Sequence, residues 1–241
     1  MKISLFLFVL FLNMANNNLI AQDNLIPNCN FEKTSYCINN YSDFDALLDW
    51  DKPTSGTTDF FNSCNKSIFG IPNNFAGYQK SGTGNSYVGL FLYNKEIDNY
   101  FTYREYIQAK LKYSLDSCYQ YKITLAVNLS NCSGYAVKNI AICLSEEPVK
   151  SVKSILFTKN LTCNELLLKF DSKVIIDTIG WKKLNITFTP TGKERYITIG
   201  NFMDNDSTQV VKVRTNGSKQ CSKELKKVAY YYIDYVILFK E

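Results

Sequence analysis

Sugar recognition asks for two kinds of side chain: aromatic rings that cover the apolar faces of a pyranose, and planar polar groups that reach its hydroxyls. Both kinds stand in or beside predicted loops of this sequence. The rings are Trp50, Phe60, Phe61, Phe75, Tyr78 and Tyr135, and the polar partners are Asn73, Asn74, Gln79, Arg104 and Gln108. With Tyr 17 and Phe 16 in the chain, most aromatics must serve packing, so placement in loops is what singles these out. Arg104 and Glu105 are neighbours in a predicted strand and point to opposite faces, either of which could lie at the surface. The face bearing Arg104, Tyr106 and Gln108 is the more sugar-like of the two.

Hydrolytic chemistry has a weaker basis. Glycoside hydrolysis uses two carboxylates, and Glu96-Ile97-Asp98-Asn99-Tyr100-Phe101 begins an E-x-D-x-x-E spacing that would turn its acids one way across a bulge. Phe101 stands where the general acid belongs, so a solvated turn explains the segment better. The chain has no His, which removes Ser-His-Asp and Cys-His nucleophiles, H-E-x-x-H zinc sites and facial triads with two His. Gly82-Thr83-Gly84 is followed by no Lys-Ser/Thr and reads as a hairpin turn, not a phosphate loop. A net charge of +5, with Lys219, Lys223, Lys226 and Lys227 on a solvated face, is too mild and scattered to predict a nucleic-acid or anionic-membrane partner.

The elements that must position these groups are strands. From residue 23 onward no segment sustains a 3.6-residue period, whereas period-2 alternation is frequent. Tyr121, Ile123, Leu125, Val127 and Leu129 alternate with Lys122, Thr124, Ala126 and Asn128, and Leu184, Ile186 and Phe188 alternate with Asn185 and Thr187. Residues 86–93, 101–111, 135–144, 195–202 and 229–240 are further predicted strands. A short helix is expected near Asn164 to Phe170, and 203–228 reads as a long polar loop. No internal repeat is visible, so a two-sheet antiparallel β-sandwich of the jelly-roll kind, all-β and one domain over 23–241, is the expectation.

Lys2 followed by the apolar run Ile3 to Leu12 reads as a signal peptide over 1–21, too short to span a bilayer, with cleavage after Ala21 or Gln22. The mature chain is therefore expected outside the cytoplasm: secreted, periplasmic or on the outer cell surface. Its eight cysteines, Cys29, Cys37, Cys64, Cys118, Cys132, Cys143, Cys163 and Cys221, suit disulfides in that compartment, with no C-x-x-C spacing to suggest zinc. Roughly 105 pairings are open to eight cysteines, and spacing does not choose among them.

The opening Asn24-Leu25-Ile26-Pro27-Asn28-Cys29-Asn30-Phe31-Glu32 and the closing Tyr230-Tyr231-Tyr232-Ile233-Asp234-Tyr235-Val236 resemble the first and last strands of galactose-binding-like jelly rolls, the fold of many carbohydrate-binding modules. Between them, Thr58 to Cys64, Gly70 to Gln79, Tyr103 to Gln108 and Tyr196 to Phe202 resemble a narrower group, an exported Bacteroidetes domain often found ahead of OmpA-type or gliding-motility sorting domains. Neither of those appended domains is expected after Glu241. The resemblance implies a structural Ca²⁺ held by Glu32 and Asp234, although Tyr235 stands where it expects a second acid, and a hydrogen bond to backbone or to a Tyr hydroxyl is the alternative role for Asp234. It also implies a Cys37–Cys64 disulfide. The expected function is a non-catalytic module that binds glycan or another cell-surface ligand. A structural or adhesive surface protein without a small-ligand site is the second expectation, and a carboxylate-dependent glycoside hydrolase the third.

Overall fold

The computed structural model describes residues 23–39, 43–95, 103–151, 166–170, 173–214 and 221–241. The signal segment, the acid run at 96–101 and Cys163 lie outside the described residues. Helix is confined there to two single 3-10 turns, Asp43–Ala46 and Leu225–Lys227. The strands, in chain order, are β1 (Trp50–Asp51), β2 (Asp59–Asn62), β3 (Asn73–Asn74), β4 (Gly77–Tyr78), β5 (Ser86–Asn94), β6 (Ile107–Lys110), β7 (Tyr121–Leu129), β8 (Tyr135–Val137), β9 (Ala141–Ser145), β10 (Leu166–Lys169), β11 (Lys182–Phe188), β12 (Tyr196–Gly200), β13 (Val210–Lys212) and β14 (Val228–Lys240). Strands β7 and β11 alternate because one of their faces is covered, whereas β5 and β14 are apolar almost throughout because both of theirs are.

Two five-stranded antiparallel sheets form the body: a first sheet β1-β6-β12-β9-β10 and a second sheet β11-β7-β14-β5-β2. They make the expected all-β sandwich. Register fixes what each face carries. In the first sheet Ile107, Ile199, Ile142 and Leu168 stand in one row and Ala109, Ile197 and Leu144 in the next, all buried and facing inward. In the second, Ile123, Leu125 and Val127 pair with Leu184 and Ile186 on one side and Leu238, Val236 and Ile233 on the other. Both sets belong to one apolar cluster between the sheets.

The last strand, β14, is the centre of the second sheet, hydrogen-bonded to β5 and β7. The opening segment runs beside it without forming a regular strand: the Leu25 N–H donates to the Leu238 carbonyl (3.0 Å) and the Val236 N–H to that of Cys29 (2.8 Å). A bulge between Ile233 and Val236 admits one extra residue into β14.

Some expected elements change. Leu166–Lys169, within the expected helix, is β10, paired with β9 from Leu166 opposite Leu144 to Lys169 opposite Ala141. The predicted strand 135–144 is two strands, β8 and β9, serving different sheets. Strand β6 starts only at Ile107, and the long polar loop contains β13. Disulfides join Cys37 to Cys64 and Cys132 to Cys221, and Cys143 is also disulfide-bonded. Cys29 and Cys118 are free. No helix among the described residues is long and apolar enough to cross a membrane.

Candidate functional site

The outer face of the second sheet is divided in two. Its β14-β5-β2 half carries Phe61, Tyr87, Phe91, Tyr230 and Tyr232, more aromatic surface than a solvated face could leave bare. Residues 63–81 fold over that half. Phe69 and Phe75 pack on Phe61 at centroid distances of 6.1 and 5.8 Å, the Tyr232 hydroxyl donates to Asn74 Oδ1 (2.8 Å), and the Tyr87 hydroxyl donates to the Gln79 carbonyl (2.9 Å).

The other half, formed by β11, β7 and the end of β14, stays open as a groove of about 740 Å³. Alternation supplies its floor: Lys122 and Thr124 from β7, Lys183 and Asn185 from β11, and Ile237 and Phe239 from β14. The bulge places Tyr235 there as well, half-buried, while Asp234 is fully buried behind the wall. Trp181 closes the groove on the side of the covered half. Its indole N–H donates to the Lys80 carbonyl (2.9 Å) and its ring meets Tyr87 edge-on at 5.7 Å, so the platform is fixed before any ligand arrives. Lys183 holds its ammonium 5.8 Å from the Tyr235 ring centroid. The Thr124 hydroxyl donates to Asn185 Oδ1 (2.7 Å).

The groove rests on a turn held by two acids. Asp234 accepts the N–H groups of Gly82 (2.5 Å) and Thr83 (3.0 Å) and the Thr83 hydroxyl (2.7 Å), and Glu32 accepts the Asn85 N–H (2.7 Å). Burial pushes the Asp234 carboxyl above the usual range, against the pull of those donors. Gly84 takes a left-handed φ of 61°, and a Cβ there would run into the Glu32 carboxyl. These are the residues that the family resemblance implies for Ca²⁺. The donor set fits that ion poorly: both lone-pair positions of one Asp234 oxygen face N–H groups, and among the described residues no three His, Cys, Asp or Glu side chains gather to hold a metal.

The eleven side chains expected to bind sugar do not assemble into one site. Trp50 lies in the inner core, its indole N–H on the Asn28 carbonyl (3.1 Å) and its ring 5.0 Å from Phe31. Phe60 faces the same core beside Val88, whereas Phe61 and Phe75 form the covered aromatic layer. Trp50, Phe60 and Phe61 are buried and offer no free ring face, and Phe75 is half-buried, packed against Phe61, Phe69 and Tyr230. Asn74 and Gln79 are tied into the cover, the Gln79 amide donating to the Lys80 carbonyl (2.9 Å). Tyr135 packs against Tyr93 at 5.5 Å. Only Asn73 and Tyr78, paired across the β3–β4 hairpin, remain exposed together, Tyr78 at 50%.

Arg104 and Glu105, either of which could have lain at the surface, are both fully buried, so Arg104 is not open to a ligand. Arg104 donates to the Tyr103 carbonyl (2.9 Å) and to Asn205 Oδ1 (2.6 Å) and lies 5.6 Å from the Tyr93 ring; burial lowers its pKa to about 10. Gln108 does sit on the outer face of the first sheet, but residues 146–151 cross over it. The Val149 N–H donates to Gln108 Oε1 (2.7 Å) and the Gln108 amide returns to the Val149 carbonyl (3.3 Å). The Thr198 hydroxyl takes the remaining approach to Oε1 (3.0 Å), so this face recognises its own backbone.

A carboxylate pair outside the E-x-D-x-x-E spacing, Asp59 and Glu105, lies at the margin of the covered layer. Asp59 accepts the Tyr230 hydroxyl (2.7 Å); Glu105 accepts the Phe91 N–H (2.9 Å) and the Tyr103 hydroxyl (2.6 Å). Burial, and then the charge of Glu105, raise the Asp59 carboxyl well above its usual range, and burial takes Glu105 up to about 7. At 7% and 0% exposure neither can reach a substrate.

No protein-family model matches the chain, and no curated protein does. Among solved structures it is similar to the CBM22-1 xylan-binding domain of a Paenibacillus barcinonensis protein, at 10% identity and a TM-score of 0.44 over 91% of this chain and 95% of that one. It is similar to a cleaved adhesin domain of Lys-gingipain from Porphyromonas gingivalis, at 15% identity and a TM-score of 0.39 over 80% and 92%. A third is the family 11 carbohydrate-binding module of a Clostridium thermocellum cellulosomal cellulase, at 10% and 0.35 over 86% and 97%.

Proposed function

We propose that this chain is an exported, non-catalytic module that binds glycan in the groove on the outer face of its second sheet. The observation that carries the reading is the fixed Trp181 ring beside Tyr235 and Phe239, with Asn185, Thr124 and two lysines along the same floor. Rings cover the apolar face of a pyranose and the amide, hydroxyl and ammonium groups meet its hydroxyls, so the groove holds both kinds of contact that sugar binding needs. A non-catalytic role is supported by the lining, which includes no carboxylate among the described residues, and by the sealing of Asp59 and Glu105. Export is supported by the disulfides.

Calorimetry or affinity electrophoresis of the full chain against a panel of soluble polysaccharides tests the reading. Trp181→Ala is expected to weaken binding about tenfold, the loss of one ring platform, with far-UV circular dichroism unchanged. Tyr235→Ala, which leaves the contacts of Trp181 intact, is expected to act in the same direction. Binding of no polysaccharide by the wild type, or wild-type affinity in both variants, would overturn it.

A further inference from the structure

The polar chemistry of the groove is one-sided. Lys122 and Lys183 each bring an exposed ammonium, and neither is ion-paired among the described residues. Asn185 already accepts the Thr124 hydroxyl on its carbonyl oxygen, so the amide offers a ligand two N–H donors and one remaining lone pair. Thr124 has spent its proton in that bond and offers only lone pairs. Asp234, behind the wall, is fully buried with its oxygens turned to Gly82 and Thr83. The groove therefore presents two cations, an amide donor, the hydroxyls of Thr124 and Tyr235 and three aromatic rings, and no carboxylate lines it among the described residues.

A neutral sugar leaves the two positive charges unused. Its hydroxyls donate as readily as they accept, and two ammonium groups would face no counter-charge. A ring bearing a carboxylate matches the set: its apolar face lies on Trp181 or Phe239, a hydroxyl donates to Thr124, and the carboxylate accepts charge-assisted bonds from lysine and from the Asn185 amide. The contact between Lys183 and Tyr235 helps by stationing one ammonium over the aromatic wall, which limits the freedom lost when the ligand binds. We infer that the ligand is an acidic glycan, a polymer with uronic acid residues, and this rests on the glycan-binding reading above.

The test uses matched pairs. Polygalacturonate, alginate and hyaluronate are titrated into the full chain beside their carboxyl-reduced forms, in which each uronate has become a neutral sugar, with neutral xylan and β-glucan as further probes. At least one acidic polymer is expected to bind at least about tenfold more tightly than its reduced form. Raising salt from about 20 mM to about 500 mM is expected to erase most of that preference, since the lysines are solvent-exposed. Lys122→Gln with Lys183→Gln, both at exposed positions, is expected to remove the preference by weakening the acidic polymer far more than its reduced form, with far-UV circular dichroism unchanged. Equal binding of acidic and reduced polymers, or a preference that survives the double substitution, would overturn the acidic-ligand inference and leave glycan binding standing. Binding of no polymer in either form would overturn both.

Discussion

Two carboxyl groups placed where charge is costly make the stability of this protein depend on pH in an unusual direction. For Glu105 the native environment favours the protonated form, since desolvation outweighs the bonds from Tyr103, Phe91 and Thr57 that favour the anion. Asp59 is raised by its own burial and by the charge of Glu105, against the Tyr230 bond and the distant charge of Lys52. A group whose native pKa lies above its unfolded one contributes stability in full below the unfolded value and loses it as pH rises through the native value. For Glu105 that window runs from about 4.5 to about 7. The chain has no His, so few other side chains titrate there. Urea unfolding between about pH 5 and about pH 8 is expected to show stability falling by on the order of 2 to 3 kcal/mol. Glu105→Gln should flatten that slope, whatever it does to absolute stability. Stability that is constant or rising over this range would show that the pair is ionised without penalty. Asp177, whose carboxyl is lowered by the N–H groups of Gly180 and Ile179, acts in the opposite sense but only at more acidic pH.

At the scale of elements, the turn at 82–85 decides whether there is a groove. It supplies Gly82 and Thr83 to the wall, and the segment between β4 and the turn supplies the Lys80 carbonyl that orients Trp181. Asp234→Asn keeps one oxygen for the N–H groups of Gly82 and Thr83 but removes the charge that strengthens those bonds, and should lower stability by about 1 kcal/mol and weaken ligand binding together. Because the Asp234 oxygens already accept three bonds, adding a chelator to the wild type is expected to leave the melting temperature where it was. A fall in the chelator that is absent in Asp234→Asn would instead establish a stabilising cation. The sequence made the scaffold around this turn legible: β7, β11 and β12 follow period-2 patterns, β5 and β14 are apolar, aromatic-rich runs, and the opening and closing segments do lie side by side. Leu166-Leu167-Leu168-Lys169 hides β10 because three leucines in a row carry no alternation, and pairing with β9, not local preference, makes them a strand. The site was harder to read for a related reason. Phe61 and Phe75 sit in or next to loops, which suggested free rings, but a sheet with two aromatic faces needs a cover and they are part of it. Trp181, Tyr235 and Phe239 flank or lie within alternating strands, where a ring looks like core. A signal was present: Lys183 and Asn185 mark the outward face of β11, Lys122 and Thr124 that of β7, and a Trp at the entrance to such a polar face has no inner core to join.

For the molecule as a whole, the distribution of stability follows from how far apart in sequence the contacts are. Strand β14 cannot pair until β5, β7 and the opening segment are in place, so the sandwich closes through its most distant parts. The Cys132–Cys221 disulfide addresses this directly. It ties the end of β7 to the approach to β14, neighbours in the second sheet, across a separation of 89 residues, and both cysteines are buried. Cys37–Cys64 closes 27 residues, and both of its cysteines are exposed. Loop-closure entropy alone ranks them, at ~4.5 kcal/mol for the longer loop and ~3.5 kcal/mol for the shorter. Packing widens the gap, since removing a buried bridge also leaves unfilled core volume whereas removing an exposed one does not. The double substitution Cys132→Ala with Cys221→Ala should therefore lower the urea midpoint more than Cys37→Ala with Cys64→Ala. Beyond the midpoint, the first variant should lose the groove, because Tyr235, Ile237 and Phe239 are delivered by β14, whereas the second should bind ligand as the wild type does at temperatures where it is folded. If the two variants lost equal stability, or the shorter bridge proved the more important, the joining of β7 to β14 would not be the step that limits this fold.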